Sequence, residues 1–405
     1  MIKTLLPGTS LPDGRMPTLG VMGGGQLGRM FVQAAQRMGY FTVVLDPDPV
    51  SPAGKVSNYH IQTDYLDEQG LAQLMQRSAA ITIEFENVPA PALVTLGAHR
   101  PVAPNADCVA IAQDRRAEKA HFAQCAKASG VGPVPCMSLL QAADLAQVPD
   151  SLLPGILKTA SLGYDGKGQI TVQDRAQLEA AFKQLKEVTC VLEQRMPLAA
   201  ECSVIVARGA DGVCVSLPVQ RNLHVNGILA VTEVFEGNIP AALAKRAQTA
   251  TQCIADSMDY VGVLCVEFFI MADADGAVSD TSALFVNEMA PRPHNSGHYS
   301  MDACDVSQFE LQVRALCGLP LHAPRQHSSA IMLNVLGDLW FVGGDKAKTP
   351  AWAEVLALPG THLHLYGKLD ARRGRKMGHL NITGPSIETV RSTARAAAKI
   401  LGLAY

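Results

Sequence analysis

The chain lacks an excess of charge of either sign, and it lacks an apolar run long enough to cross a membrane. Its 34 lysines and arginines nearly balance 37 aspartates and glutamates, and the formal net charge of −3 does not indicate a nucleic-acid-binding surface. Near the N-terminus, Leu5 and Leu6 stop at Pro7, which is too short for the apolar region of a signal peptide. We therefore expect a cytoplasmic protein with neither a membrane nor a nucleic acid as its partner.

Closely spaced cysteine pairs are also absent. The ten cysteines form no Cys-x-x-Cys motif, so neither a zinc site nor a redox pair is indicated, and we expect reduced, mostly buried thiols. No internal repeat or low-complexity tract is present. With 405 residues, the chain is too long for a single core, and two or three domains are expected.

The first motif is a glycine-rich turn between a predicted strand that starts at Thr18 and a predicted helix over 29–38. Its sequence at 23–28, GGGQLG, satisfies G-x-G-x-x-G, and Asp46 ends the next strand eighteen residues later. This spacing is typical of dinucleotide-binding units. Glycines at a helix N-terminus serve any phosphorylated ligand equally well, so another phosphate, or simple close packing, remains open.

A predicted strand over 80–85 ends in Glu84 and Glu86, and carboxylates at such strand ends face the crevice where parallel sheets bind ligands. A second glycine-rich stretch, GYDGKGQ at 163–169, lies between predicted strands. Its amides and Lys167 could close over phosphates while Lys158 reaches in from the strand over 155–159. A plain hairpin would need fewer glycines. The charges at 113–119, at the start of a predicted helix, are interpreted as a solvated face.

The strand predicted over 263–271 contains Glu267, and a carboxylate there is costly unless it is paired or metal-bound. A turn leads back along 284–288, so we expect Glu267 and Glu288 on neighbouring antiparallel strands facing one pocket. With the amide of Asn287, they suit two Mg²⁺ ions, or Mn²⁺, that bridge nucleotide phosphates. A solvated loop after an ordinary strand is the simpler alternative.

Three further polar segments carry less specific signals. The loop at 291–298, PRPHNSGH, supplies donors for an anionic substrate. The basic stretch at 368–379 is either a solvated hairpin or a cover for a phosphorylated substrate. Residues 221–224, RNLH, are predicted to interrupt the strands around them, and a lone histidine such as His224 is more often structural than a ligand.

Taken together, these motifs resemble those of the ATP-grasp enzymes, and within them the N5-carboxyaminoimidazole ribonucleotide synthetases of purine biosynthesis. The resemblance covers nearly the whole chain. The motifs that carry it are 25–30 (GQLGRM), 83–86 (IEFE), 113–115 (QDR), 163–169 (GYDGKGQ), 222–224 (NLH), 287–288 (NE), 294–298 (HNSGH) and 374–379 (GRKMGH). The implied fold is α/β and α+β. After an extension at 1–17, it has a Rossmann-like (pre-ATP-grasp) domain at 18–112, an ATP-grasp domain at 113–318 with a central subdomain at about 130–210, and a small β-rich C-terminal domain at 325–405.

The resemblance also implies a set of site residues. The ATP-binding residues would be Arg115, Lys158, Gly163, Tyr164, Asp165, Gly166, Lys167, Gly168, Gln169, Glu193, Gln194, Arg195, Met196, Glu201, His224, Val286 and Asn287. The metal ligands would be Glu267, Asn287 and Glu288. Aminoimidazole ribonucleotide would contact Gln26, Leu27, Glu84, Tyr164, Asp165, Arg292, His294, Asn295, Ser296, Lys368 and Arg375. The implied catalytic residues are Lys158, Lys167, Glu288 and Arg292.

The implied reaction is an ATP-dependent carboxylation of that nucleotide with bicarbonate, through carboxyphosphate. It requires positioning, charge neutralisation and exclusion of water rather than a nucleophilic side chain. A homodimer, and a mutase that takes the product, are further expectations. Three alternatives remain open: a formate-dependent glycinamide ribonucleotide transformylase, an NAD-dependent dehydrogenase, and a non-catalytic nucleotide-binding module.

Overall fold

The N-terminal unit is a four-stranded parallel sheet with order β3-β2-β1-β4. The structure is a computed structural model that describes residues 4–161, 168–403 and 405. The elements of this unit are β1 (Thr18–Met22), α1 (Gln26–Arg37), β2 (Phe41–Leu45), β3 (Tyr59–Ile61), α2 (Glu68–Arg77), β4 (Ala80–Ile83), α3 (Ala90–Gly97) and α4 (Ala106–Gln113). Strands β1 and β4 are buried throughout, which explains their continuous apolar sequences.

Helix α1 begins three residues earlier than predicted, so Gly28 lies inside the helix. A Cβ on Gly28 would come within 2.9 Å of Glu84 Cγ and 3.0 Å of the Gly23 carbonyl oxygen. The third glycine therefore serves the close packing of α1 against the end of β4. The N-terminal extension docks on the molecule, because the Leu5 amide donates to the Cys317 carbonyl at 2.9 Å.

The central unit is a four-stranded antiparallel sheet with order β5-β8-β6-β7. It follows a long helix that starts at the predicted QDR motif, where the Asp114 side chain caps the helix by accepting from the Arg116 amide. The elements are α5 (Arg115–Ser129), β5 (Cys136–Leu139), β6 (Gly155–Thr159), β7 (Gln169–Val172), α6 (Arg175–Gln184) and β8 (Cys190–Gln194). Of the predicted glycine-rich loop, residues 163–167 lie outside the described part of the chain.

The third sheet has nine strands and runs from the centre of the chain to its C-terminal part. Its path is β14-β13-β9-β11-β12-β15-β17-β16, with β10 paired to β9. The elements are β9 (Leu198–Arg208), β10 (Cys214–Ser216), β11 (Gln220–Val225), β12 (Ile228–Val234), α7 (Ala241–Ser257), β13 (Gly262–Met271), β14 (Leu284–Ala290), α8 (Ser300–Ala303), α9 (Gln308–Leu316), β15 (Ser329–Leu336), α10 (Trp352–Leu356), β16 (Thr361–Leu365), β17 (Lys376–Gly384) and α11 (Ile387–Leu401). Because β12 pairs with β15, the C-terminal strands extend the sheet rather than forming a separate one.

The prediction that residues 221–224 interrupt the strands is wrong, because they lie within β11. The inward-facing polar side chains of this strand are satisfied by hydrogen bonds. Asn222 donates to Ser203 Oγ at 2.9 Å and accepts from the Thr232 hydroxyl at 3.0 Å. Polar residues of this kind suggest a loop when only the sequence is known, although in the fold they are buried and hydrogen-bonded within a strand.

The mixture of a parallel sheet and antiparallel sheets matches the predicted fold class. The predicted limit at 112 falls in the last turn of α4, and those at 318 and 325 fall between α9 and β15. All ten cysteines are free thiols, as expected. Within the described residues, no helix is both long and apolar enough to span a membrane.

Candidate active site

Residues from the units built on all three sheets line one large cleft of about 950 Å³. Most of the described residues predicted for the site line it: Gln26, Leu27, Glu84, Arg115, Lys158, Gln169, Glu201, His224, Glu267, Asn287, Glu288, Arg292, His294, Asn295, Lys368 and Arg375. Residues that are far apart in the chain meet here; for example, Lys368 Nζ donates to Gln26 Oε1 at 2.9 Å across a separation of 342 positions. The cleft is therefore a product of the tertiary fold.

Other predicted residues lie outside the cleft lining. Val286 belongs to the hydrophobic core, Glu193 is only 2% exposed, and Ser296 is fully buried, where it accepts a hydrogen bond from Ser203 at 2.8 Å. Also outside the lining are Gly168, just before β7, and Gln194, Arg195 and Met196, at and after the end of β8. Their predicted contacts with ATP or substrate stay predictions, as do those of residues 163–167.

The two carboxylates predicted on β13 and β14 lie on adjacent antiparallel strands, which confirms the predicted pairing. A bulge sets their positions, because Val266 pairs with Met289 while Phe268 pairs with Val286. Two residues of β14, Asn287 and Glu288, thus oppose the single residue Glu267. Val286 and Met289 both belong to the core, while Asn287 and Glu288, together with Met289, line the cleft. The bulge lets consecutive polar residues face one space.

The two carboxylates of this acidic pair disfavour each other's charged form. Burial, together with the negative charge of Glu288, raises the pKa of Glu267 to about 7 even though His224 opposes the shift. The buried Oδ1 of Asn287 has no hydrogen-bond donor among the described residues. Nowhere in the described chain do three His, Cys, Asp or Glu side chains gather closely enough to hold a metal on their own. An ion bound here would therefore need oxygens from Asn287 and from a ligand as well.

Opposite the carboxylates, the ring of His224 pairs with Glu201 from the neighbouring strand β9. Burial disfavours the charged imidazole, but the contact with Glu201 and the charge of Glu267 outweigh burial and raise the pKa of His224 to about 9. At neutral pH, His224 is therefore a cation facing the cleft. The residue is placed to meet a phosphate rather than to act as a neutral base.

The cations of the cleft are held by a buried ion network. Lys158 Nζ donates to Glu193 Oε2 at 2.6 Å, and Lys119 Nζ lies 3.0 Å from Glu193 Oε1. Burial alone would raise the pKa of Glu193, yet the two ammonium groups lower it to about 2. The solvated-face interpretation of 113–119 is wrong for Glu118 and Lys119, which are 2% and 4% exposed. Their partners lie in distant strands, so no local pattern could have revealed their burial.

On the other side of the cleft, Glu84 occupies the N-terminal end of α1. The Leu27 amide donates to Glu84 Oε1 at 3.2 Å, and a Cβ on Gly25 would lie only 2.2 Å from the same oxygen. Arg292 forms an ion pair with Glu86, whose charge holds the pKa of the buried guanidinium above its usual value. The prediction that the end of β4 delivers carboxylates to a crevice is confirmed, and Glu86, which is not among the site residues implied by the family resemblance, lines the cleft with Glu84.

The loop after β14 is fixed by Gln308 from α9. The side chain of Gln308 accepts from the His294 amide at 2.9 Å and donates to the His294 carbonyl at 2.7 Å. The side-chain nitrogen of Gln308, Nε2, also lies 3.1 Å from His298 Nδ1. Because Nε2 can only donate, this ring nitrogen is the acceptor. His294 Nε2 lies 3.3 Å from Glu267 Oε1, and burial keeps the pKa of His294 well below its usual value. Both histidines are therefore neutral, oriented side chains at the cleft wall.

Asp46, the acidic residue of the dinucleotide-like pattern, is already engaged. Its Oδ2 accepts from the Gly24 amide at 2.6 Å and from the Tyr65 hydroxyl at 2.7 Å, while Oδ1 accepts from the Asp48 amide at 2.9 Å. In dinucleotide-binding units, the equivalent carboxylate binds a ribose. Here it stabilises the glycine turn, which removes the main support for the dehydrogenase alternative.

Three protein families match consecutive parts of the chain. The ribonucleotide synthetase preATP-grasp domain matches residues 16–113, the ATP-grasp domain matches residues 125–309, and the phosphoribosylaminoimidazole carboxylase C-terminal domain matches residues 330–393. The order of these domains agrees with the parallel sheet, the cleft between antiparallel sheets and the C-terminal strands described above. The fold and the cleft are those of an ATP-grasp protein.

Individual relatives narrow this class. The N5-carboxyaminoimidazole ribonucleotide synthase of Brucella melitensis biotype 1 is 40% identical over 380 residues, which cover 93% of this chain and 98% of the relative. A solved ADP complex of an N5-carboxyaminoimidazole ribonucleotide synthetase is 36% identical, with a TM-score of 0.86 and 99% of both chains covered. The Aspergillus clavatus enzyme, solved with ADP and 5-aminoimidazole ribonucleotide, is 27% identical, with a TM-score of 0.82 and coverage of 95% of this chain and 98% of that chain. The chain belongs to the N5-carboxyaminoimidazole ribonucleotide synthase family, as its motifs predicted.

Proposed function

We propose that this cleft carries out the reaction of the family, in which 5-aminoimidazole ribonucleotide and bicarbonate are joined at the cost of ATP hydrolysis to ADP and phosphate. The observation that carries the proposal is the convergence of Glu267, Asn287 and Glu288 with Arg292 and His294 in one cavity. The first three suit metal-bound nucleotide phosphates and the last two suit an anionic acceptor. The adjacent strands β13 and β14 and the loop that follows β14 therefore bring the two substrates together.

The donor set fits Mg²⁺, or Mn²⁺ in its place. Two carboxylates that repel each other and an amide oxygen without a donor among the described residues are the hard oxygen ligands that these cations prefer. Glu267, Asn287 and Glu288 are the residues that would hold two such ions beside the nucleotide. When bound, the ions neutralise phosphate charge and orient the terminal phosphoryl group. Arg115 Nη1 lies 3.3 Å from Glu288 Oε2 and orients this carboxylate.

The ATP side of the cleft is defined by three cations, Arg115, Lys158 and His224, that all line it. Lys158 is anchored by Glu193 at 2.6 Å, and the pKa of His224 is raised to about 9, so each presents a fixed positive charge at neutral pH. Preorganised charges of this kind stabilise phosphoryl transfer without moving during the reaction. The ADP-bound relatives support placing the nucleotide here.

The acceptor nucleotide belongs on the opposite wall. The basic stretch predicted at 368–379 contributes Lys368, Arg375 and Lys376 to the cleft lining, with Arg372 and Arg373 beside them. A cluster of arginines and lysines next to the N-terminal end of α1 suits the 5′-phosphate of a ribonucleotide. The Aspergillus clavatus structure with 5-aminoimidazole ribonucleotide supports an acceptor site in this family.

The chemistry needs no covalent bond to the protein. An oxygen of bicarbonate attacks the terminal phosphorus of ATP, and ADP leaves; the amine then attacks the carboxyl carbon of carboxyphosphate, the proton of the amine is lost and phosphate leaves. Carboxyphosphate and the carbamate product hydrolyse readily, so the cleft must exclude water. The main contributions of the chain are orientation of two substrates and neutralisation of their charge.

The test is release of ADP and phosphate from ATP by the purified chain. We expect release to depend on both 5-aminoimidazole ribonucleotide and bicarbonate, with the carbamate product detected in parallel. Formate with glycinamide ribonucleotide serves as the matched alternative substrate pair. Release with that pair alone would replace this assignment with the transformylase, and ATP binding without release under any condition would identify a non-catalytic module.

We further propose that the chain acts in the cytoplasm as a homodimer and that a mutase consumes its product. The free state of all ten cysteines supports a reducing compartment, and the short life expected of a carbamate supports a consuming enzyme close by. Light scattering at working concentration tests the dimer. A mass corresponding to a single 43.0 kDa chain would refute it.

A further inference from the structure

We propose that Glu118 and Lys119 form a clamp that positions Glu288 and Lys158 against ATP. The clamp deepens the proposed function and rests on it. Both residues lie on the first turns of α5, and both are buried, at 2% and 4% exposure. Neither was predicted to belong to the site. We call them positioning residues because they act through other side chains and backbone groups.

The clamp holds the backbone on both sides of Glu288. Lys119 Nζ donates to the carbonyl of Asn287 at 2.6 Å, and the amide of Met289 donates to Glu118 Oε1 at 2.7 Å. The two peptide groups that flank Glu288 are therefore both bonded to consecutive residues of one helix. The bulge between β13 and β14 interrupts regular pairing at this point, so the strand ladder alone does not fix Glu288.

Lys119 also connects this strand to the central sheet. Its ammonium lies 3.0 Å from Glu193 Oε1, and Lys158 binds the other oxygen of Glu193 at 2.6 Å. The Asn287 carbonyl and the Lys158 ammonium are thus connected through two buried side chains, Lys119 and Glu193. A displacement of Lys119 would disturb both the acidic and the basic side of the ATP site.

The cluster explains why buried charges are tolerated beside an active site. Arg115, Lys119 and Lys158 carry positive charge, and Glu288 and Glu193 carry negative charge. Buried charges paired in this way hold their positions, which preorganises the side chains on the ATP side of the cleft. Outer residues that orient metal ligands typically change affinity or activity by about 10- to 100-fold when removed.

The experiment compares Lys119→Met with Lys127→Met. Lys127 lies in the last turn of the same helix and is exposed, so the control removes the same charge away from the cleft. We measure kcat, the KM for ATP and for 5-aminoimidazole ribonucleotide, and the Mg²⁺ dependence of turnover. ADP binding in the presence of Mg²⁺, followed by calorimetry, provides a readout that does not require turnover.

We expect Lys119→Met to lower kcat by about 10- to 100-fold and to weaken Mg²⁺-dependent ADP binding by a similar factor. The KM for 5-aminoimidazole ribonucleotide should stay within about twofold, because the clamp positions groups that face ATP. A general loss of folded protein would not affect the two substrates differently. Lys127→Met should match the wild type. Wild-type ADP affinity and turnover in folded Lys119→Met would overturn the clamp.

A second pair of variants keeps the test decisive if Lys119→Met does not fold. Glu118→Gln retains an acceptor for the Met289 amide, whereas Glu118→Met removes it. We expect Glu118→Gln to stay within about threefold of the wild type and Glu118→Met to fall by about tenfold or more. Equal activity of the two variants would refute the clamp. If the wild type itself binds Mg²⁺ and ADP but shows no substrate-dependent turnover, the proposed function fails, while the binding comparison still tests the clamp.

Discussion

The buried network around Glu193 provides a quantitative test of the ATP side of the site. In Glu193→Gln, the amide keeps the shape of the side chain but removes the charge between Lys119 and Lys158. Two ammonium groups would then face each other in a region that is almost fully buried. The matched control is Glu179→Gln, which removes an exposed carboxylate from α6 of the same unit.

The expected magnitude follows from two independent arguments. The pKa of Glu193 falls from 4.5 to about 2, and each unit corresponds to about 1.4 kcal/mol, so the charged form is stabilised by roughly 3 kcal/mol. Removing one partner of a buried ion pair costs about 3–5 kcal/mol. We therefore expect Glu193→Gln to lose about 3 kcal/mol of unfolding free energy, which for a unit of this size lowers the melting temperature by roughly 6–12 °C.

Differential scanning calorimetry between pH 6 and 8 measures this loss. The folded pKa of Glu193 is depressed, so its contribution is complete above pH 4.5 and is lost as pH falls toward about 2. The difference in melting temperature between the wild type and Glu193→Gln should therefore be constant from pH 6 to 8. A decrease in melting temperature of less than about 2 °C, or a decrease equal to that of Glu179→Gln, would refute the reasoning.

Three further changes test other parts of the cleft. Glu288→Gln should abolish turnover while the melting temperature stays near that of the wild type, because the carboxylate is assigned to the metal ions; near-normal turnover at saturating Mg²⁺ would exclude it from the metal site. The pKa of His224 is raised to about 9, so its positive charge is present at neutral pH and is lost as pH rises through 9. We therefore expect the KM for ATP to increase between pH 8 and 10. This increase should disappear in His224→Asn. Gly25→Ala would place a Cβ 2.2 Å from Glu84 Oε1, so we expect about a tenfold or greater increase in the KM for 5-aminoimidazole ribonucleotide, whereas Gly97→Ala, which has no atom within 4 Å of the added Cβ, should have no effect.

The acidic pair could be predicted because its signals are local. Glu267 stands out as a carboxylate inside an apolar strand, and the turn that follows brings Asn287 and Glu288 back alongside it. The bulge that turns two consecutive residues into the cleft has no such signal. It becomes visible only in the pairing of Val266 with Met289 and Phe268 with Val286.

The polar residues of β11 illustrate a different limit of predicting structure from sequence. Asn222 suggests a loop when its partners are unknown, yet in the fold it is bonded to Ser203 on β9 and Thr232 on β12. A buried polar group is favourable only when its partners are supplied, and these partners lie 19 and 10 positions away. The periodicity of a single segment does not carry that information.

By itself, the sequence determined the order of the domains, the family and many of the polar residues that line the cleft, because motifs such as GQLGRM, Asn287-Glu288 and HNSGH are short and contiguous in the chain. The tertiary structure alone decided how these motifs face one another and what supports them. Glu118 and Lys119 look like solvent-exposed helix charges until the strand that carries Glu288, more than 160 positions away, packs against them. Long-range hydrogen bonds and burial set the free energy of these charges, and neither can be predicted from the residues that are adjacent to them in the sequence.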